Sequence, residues 1–319
     1  MKTKTYAPKT TNEGQADLYQ MITDRIIEGL EKGKMPWKKT WTNDPLLMPQ
    51  NYLSKKIYNG LNLLLLAFND YEVPFYLTFN QIKEMGGSLK KGSKSTPITY
   101  WNFSYFIPNA TGELIKISPE DARARHAKKL PVIVKPFLRY YNVFNIENVE
   151  NIDFIIPEKK VYPELERINS CEEVISNYKD CPLIKHSGTE AFYSPMEDYV
   201  NMPEAGKFDC IESYYGVLFH ELIHSTGHAK RLNREEITSP TKFGSQKYSK
   251  EELTAEIGSM FLRNLVGLEN YQFDNSQAYI NGWITALKND KMMIFSAASK
   301  AKKAISYMKG IDEMEEGGE

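Results

Sequence analysis

The sequence predicts an α+β protein of two domains. Its 319 residues suffice for two ordinary domains, and 41% hydrophobic with 25% charged residues is the balance of a chain that builds packed cores. The net charge of −1 conceals a change of sign. Residues 1–150 hold 21 Lys+Arg against 14 Asp+Glu, and the remainder holds 19 against 27. Three of the four tryptophans, Trp37, Trp41 and Trp101, lie in the basic part. Halves of opposite charge imply domains with different partners. The third observation is a change of pattern, from mixed helix and strand windows to a largely helical stretch from Ile211 onward.

Taken in order, residues 1–13 are polar and read as a flexible arm. Asp17 to Lys32 places Leu18, Ile22, Ile26, Ile27 and Leu30 on one helical face, with Gly33 as the stop. Leu61 to Phe68 reads as a second helix, and Thr78 as the N-cap of a short one that Gly86-Gly87 ends. Pro97 to Phe106 is a strand by its aromatic and β-branched content, and Val132 to Val134 with Phe137 to Phe144 forms a second strand region. Residues 108–130 between them read as a solvent-exposed insertion. The acidic, proline-bearing stretch from Glu147 to Pro163 is the linker. The predicted domains are therefore 14–155 and 156–319. Beyond the linker, Glu190 to Tyr193 and Tyr199 to Met202 flank Ser194-Pro195 as a hairpin.

Several classes of protein fall away early. No apolar run approaches the roughly 18 residues of a membrane span; the longest, Leu61 to Phe68, is broken by Asn62. The N-terminus lacks the apolar stretch of a secretory signal, and Cys171, Cys181 and Cys210 are too few and scattered for a disulfide framework. The expectation is a cytoplasmic protein with neither membrane nor disulfide partner. There is no Walker signature and no nucleotide-binding glycine motif.

The chemistry is carried by His220-Glu221-Leu222-Ile223-His224, an H-E-x-x-H motif continuous with the apolar run Tyr214 to Phe219. Two histidines four apart on a helix share a face, so both imidazoles reach one ion. Glu221 then stands near that ion without binding it, placed to take a proton from metal-bound water as general base. A working zinc site needs a third protein ligand and an open position. Glu252 supplies the candidate, on a second predicted helix 28 residues past His224. Glu252 to Glu256 resembles the E-x-x-A-D element of gluzincin peptidases, with Glu where the family has Asp. The resemblance makes Glu252 the third ligand and Glu256 the support of the His220 ring; the two acids share a face, so the roles could be exchanged. The metzincin alternative fails because its last histidine position is Lys230. His228 turns away at the helix end. Tyr248 is a candidate phenol donor to an oxyanion, and one arm of the 190–202 hairpin is the candidate substrate strand. His/His/Glu sites accept Mn2+, Co2+ or Ni2+ as well as Zn2+.

Both halves together resemble the ArdC-type antirestriction family, a single-stranded-DNA-binding domain followed by a zincin-like metallopeptidase domain. The resemblance rests on Pro36-Trp37, Trp41, Pro49-x-Asn51, Tyr58-x-Gly60-x-Asn62, Leu77-Thr-Phe79-x-Gln81 and Gly86-Gly87 with Lys91-Gly92 in the first half. In the second it rests on Asp198 to Pro203, Tyr214-Tyr215, His220 to His228, Arg231-Leu-x-Arg234 and Glu251 to Glu256. It implies binding of single-stranded DNA, protection of incoming plasmid or conjugative DNA from restriction, and a protein substrate such as a restriction component. Single strands bind where a basic groove meets exposed aromatic faces. Trp37, Trp41 and Tyr58 with Lys55, Lys56, Lys90 and Lys91 are the expected DNA contacts, while Phe79 and Trp101 are expected in the core. The competing function is a non-catalytic single-stranded-DNA-binding protein with a structural metal site; Glu221 favours the enzyme, because a structural site has no need of an acid there.

Overall fold

The computed structural model describes residues 17–38, 47–109, 111–158, 160, 163–239, 246–268 and 277–310. The N-terminal arm and Trp41 lie outside the described residues. In chain order the first helix is α1 (Leu18–Glu31), capped by the Asp17 carboxylate accepting from the Gln20 N–H and closed at Gly33, whose φ of 75° suits glycine. Then follow β1 (Gln50–Asn51), α2 (Gly60–Ala67), β2 (Phe75–Thr78) and α3 (Phe79–Glu84). Thr78 and Gln81 form a capping box at the start of α3. β3 (Ser88–Leu89), β4 (Thr96–Pro108), β5 (Leu114–Ile117), α4 (Pro119–Ala127), β6 (Ile133–Asn145) and β7 (Val149–Glu150) complete the first half.

The strands form a five-stranded sheet in the order β1-β2-β6-β4-β5 and a separate β3-β7 pair. β4 and β6 pair over most of their length, from Thr96 opposite Val143 to Phe106 opposite Ile133. Residues 108–130 are largely exposed, as expected, and they also carry structure: β5 pairs with the end of β4 and Ser118 caps α4. β6 runs unbroken through Pro136. β2 pairs with β6 only at 143–145, so at Pro136 the far edge of β6 is free of β2, where a missing N–H costs nothing.

The second half comprises α5 (Glu164–Asn177), β8 (Leu183–His186), β9 (Phe192–Ser194), β10 (Tyr199–Met202), α6 (Ile211–Ser225), α7 (Glu235–Thr238), α8 (Gln246–Leu265), α9 (Gln277–Asn289) and α10 (Met293–Met308). β9 and β10 are the predicted hairpin, and β8 joins β10 in parallel to complete a three-stranded sheet. One core lies under this sheet, where Tyr193, Val200 and Met202 meet Tyr215, Leu218, Leu222 and Ile223 of α6.

The largest core ignores the division of the sequence. Ile22, Ile26 and Leu30 of α1 and Leu63 to Leu65 of α2 pack with Leu253 and Met260 of α8, Trp283 of α9 and Ile294 of α10. Trp37 sits in this core, edge to face with Trp283 at 5.6 Å, and its carbonyl accepts a hydrogen bond from the buried Arg263 of α8.

Candidate metal centre and nucleic-acid interface

α6 is helical through its apolar face, which the sheet and α8 bury. The two helices approach closely: a Cβ on Gly258 would stand 2.8 Å from Ile223, and the Ser259 hydroxyl donates to the Gly216 carbonyl at 2.9 Å. This approach carries a carboxylate of α8 to the histidines of α6. His220 Nε2 and His224 Nε2 lie 3.1 Å apart, and each is 3.5 Å from an oxygen of Glu252. One ligand atom from each residue lies within 4.8 Å of the others; among the described residues this is the group able to hold a metal ion. Two imidazole nitrogens and a carboxylate oxygen suit a divalent ion with mixed N/O ligation, and three protein ligands leave a coordination position open.

The electrostatics are those of a ligand set. Burial pushes the Glu252 carboxyl up, but the hydrogen bond from His220 and the two imidazoles outweigh it and bring it down to about 2. Burial disfavours the charged His220 ring, yet the hydrogen bond to Glu252 and the charges of Glu221, Glu256 and Glu252 raise it to about 9. Glu221 is half-buried, and its charge reaches both His220 and Tyr248. Tyr248 lies inside α8 rather than before it and hydrogen-bonds Glu252. Burial first, then the carboxylates of Glu252 and Glu221, push its phenol up.

Sequence reasoning missed the support of His224. Its Nδ1 meets Glu251 Oε1 at 3.1 Å, and Glu251 is gripped in turn by Arg234, with Nε at 3.0 Å and Nη2 at 2.5 Å. Arg234 also donates to Thr226 Oγ1 and to the carbonyls of Ile223 and His224 at the end of α6. A side chain on Gly227 would collide with this guanidinium at 2.9 Å. Both residues stood in the quoted motifs without a role. Glu256 is buried on α8 and acts on the His220 ring by its charge. His228 faces Asp198, 3.8 Å away, outside the ligand group.

The expected DNA contacts are redistributed. Trp37 is a correction: at 0% exposure its ring is a core element with no face for a base. Phe79 and Trp101, expected in the core, are exposed instead, Trp101 by 49%. Lys55, Lys56, Lys90 and Lys91 are all exposed, although the Lys55 ammonium rests 4.1 Å from the Tyr52 ring centroid and that of Lys90 donates to the Glu147 carbonyl. Tyr58 is buried, yet it lines a groove of about 390 Å3 together with Asn51, Lys56, Thr78, Gln81 and Tyr141. Its hydroxyl is buried beside the side chains of Asn51 and Tyr141.

A metal-ligand pair on one helix, completed by an acid from the next and flanked by a small mixed sheet, marks the second half as a zincin-like metallopeptidase-type domain, and residues 171–300 match the family of that description. Residues 16–144 match the N-terminal domain of anti-restriction factor ArdC. The chain belongs to the ArdC-type antirestriction family. It is similar to crystal structures of the antirestriction ArdC protein from plasmid R388. The metal-free form has 30% identity and a TM-score of 0.66 over 93% of this chain and all of that one. The Mn(II)-bound form has 30% identity and a TM-score of 0.65 over 92% and 97%. Protein y4eC of Sinorhizobium fredii is 31% identical over 304 residues, 93% of each chain. DNA primase TraC of Escherichia coli is 31% identical over 304 residues, and the chain spans only 20% of that protein's length.

Proposed function

We propose that this protein is a zinc-dependent peptidase joined to a single-stranded-DNA-binding half, acting as an antirestriction factor for incoming plasmid or conjugative DNA. The observation that carries the reading is the convergence of His220, His224 and Glu252 beside the unligated acid Glu221. When bound, the divalent ion supplies a Lewis acid and lowers the pKa of water. Around it the chain does the rest. Glu221 accepts the proton of the attacking water and passes it to the leaving amine. The Tyr248 phenol, kept protonated by burial and by Glu252, donates to the developing oxyanion. β9 pairs only with β10 among the described strands, so its other edge can align an extended peptide. The proposed substrate is a protein of the restriction system, and Mn2+, Co2+ or Ni2+ can replace Zn2+ in such a ligand set.

The test pairs metal analysis with cleavage of fluorogenic protein and peptide substrates. Glu221→Ala is expected to keep its metal and lose hydrolysis, whereas His220→Ala and His224→Ala lose the metal. Wild-type protein carrying one equivalent of metal and cleaving nothing in a broad peptide library would overturn the peptidase reading.

A further inference from the structure

The β4–β6 ribbon carries an arrangement that the sequence motifs did not reveal. Neither of its two strands, thirteen residues each, contains a single Asp or Glu. Directly opposed residues of an antiparallel pair share a face. The register sets Tyr141 opposite Ile98, Arg139 opposite Tyr100, Phe137 opposite Asn102 and Lys135 opposite Ser104. Along β6 this face therefore reads Tyr141, Arg139, Phe137, Lys135, with ring and cation alternating about 7 Å apart. The opposite face is covered by the protein at Leu138 and Tyr140, while Trp101, Phe103 and Val134 on it remain exposed. Leu138 enters the large core, Tyr140 packs against it, and the Trp101 ring lies 6.5 Å from that of Tyr19.

The outer face is accessible. Tyr100 is 40% and Tyr141 39% exposed, their rings 5.8 Å apart, and Arg139 and Lys135 are exposed beside them. The Arg139 guanidinium lies 5.3 Å from the Phe137 ring centroid, which holds cation and ring in register. At the end where the ribbon enters the core, Tyr141 forms one wall of a groove that Lys56 also lines.

We propose that single-stranded DNA runs along this face, with bases stacked on Tyr141 and Tyr100 and phosphates on Arg139, Lys135 and Lys56. The inference rests on the DNA-binding part of the proposed function and assigns it a site. The acid-free strands complement a polyanion, and rings alternating with cations suit unstacked bases joined by phosphates. The site lies in the basic first half but away from Trp37, whose ring is buried.

The test uses the full-length protein and fluorescence anisotropy with fluorescein-labelled 12-nucleotide oligo-dT across a salt series. For single strands the log–log salt slope is about 0.7 per phosphate contact, so Lys135→Ala with Arg139→Ala should lower it by about 1.4. Tyr100→Ala with Tyr141→Ala should weaken binding at least about tenfold with the slope unchanged. All four side chains are substantially exposed, so melting temperatures should hold. Wild-type binding unaffected by both double variants would overturn the site while leaving DNA binding intact. Wild-type protein failing to bind oligo-dT at the lowest salt would overturn DNA binding itself. Tighter binding of oligo-U, or of a duplex of equal length, would overturn single-stranded DNA as the occupant.

Discussion

His224 is held from two sides, with Nε2 turned to the ligand group and Nδ1 to Glu251, which is fixed by Arg234. A ring so held loses little freedom when it binds an ion, and such support is typically worth about 10–100-fold in metal affinity. Glu251→Gln and Arg234→Lys are each expected to weaken metal binding by roughly that factor. Glu252→Ala should weaken it further, since it removes a ligand. Competition with a chromogenic chelator reads these affinities. Equal affinities for wild type and Glu251→Gln would show that the ring needs no such support. At this scale the metal motif was legible, because a helix converts a spacing of four into a shared face. The supporting pair was not: Arg234 and Glu251 are 17 residues apart and meet only because the chain folds back after α6.

Among the elements, the junction between the hairpin and the end of α6 depends on one buried ion pair. Arg231, almost fully buried, binds Asp198 in the β9–β10 turn as well as the carbonyls of Ser225 and Asp180. Burial pushes the Asp198 carboxyl up, but the hydrogen bonds from Arg231 and Tyr193 and the charges of Arg231 and His228 prevail and hold it below the ordinary aspartate range. A carboxylate whose folded pKa is depressed adds stability that is complete above its unfolded value, about 3.9, and is lost as pH falls through the folded value. Asp198→Asn should therefore cost on the order of 3 kcal/mol at pH 7 by leaving the guanidinium unpaired, and the gap to wild type should narrow below about pH 4. Urea unfolding at several pH values measures both. A gap that widens on acidification would contradict the assignment. The helices α1, α2, α3 and α6 and the hairpin were readable from caps, periodicity and turn residues, whereas α4, the pairing of β5 and the docking of α6 on α8 were not.

At the scale of the whole molecule, the large core joins α1 and α2 to α8, α9 and α10 across the expected linker. One of the hydrophobic cores is thus shared by both halves, and full-length protein is expected to unfold in a single cooperative step. Trp283→Ala, in the second half, should lower the stability of the whole chain by about 3–5 kcal/mol and strip hydrogen-exchange protection from α1 as well as α9. Protection retained in α1 would mean that the halves unfold separately.

The sequence by itself determined what depends on local spacing: the helices and their caps, the hairpin, the two metal-binding histidines with Glu221 between them, and the basic character of the first half. These are set by backbone periodicity and the chemistry of neighbouring residues. Only the tertiary structure decided which aromatic rings are available and which charges meet. Trp37 and Tyr141 look alike to composition, yet one is buried against Trp283 and the other faces outward from β6. Burial is a property of the packed chain, because a ring is covered or bared by residues far from it in sequence. For the same reason Arg234, Glu251 and His224 became one unit only when long-range packing brought them within hydrogen-bonding distance.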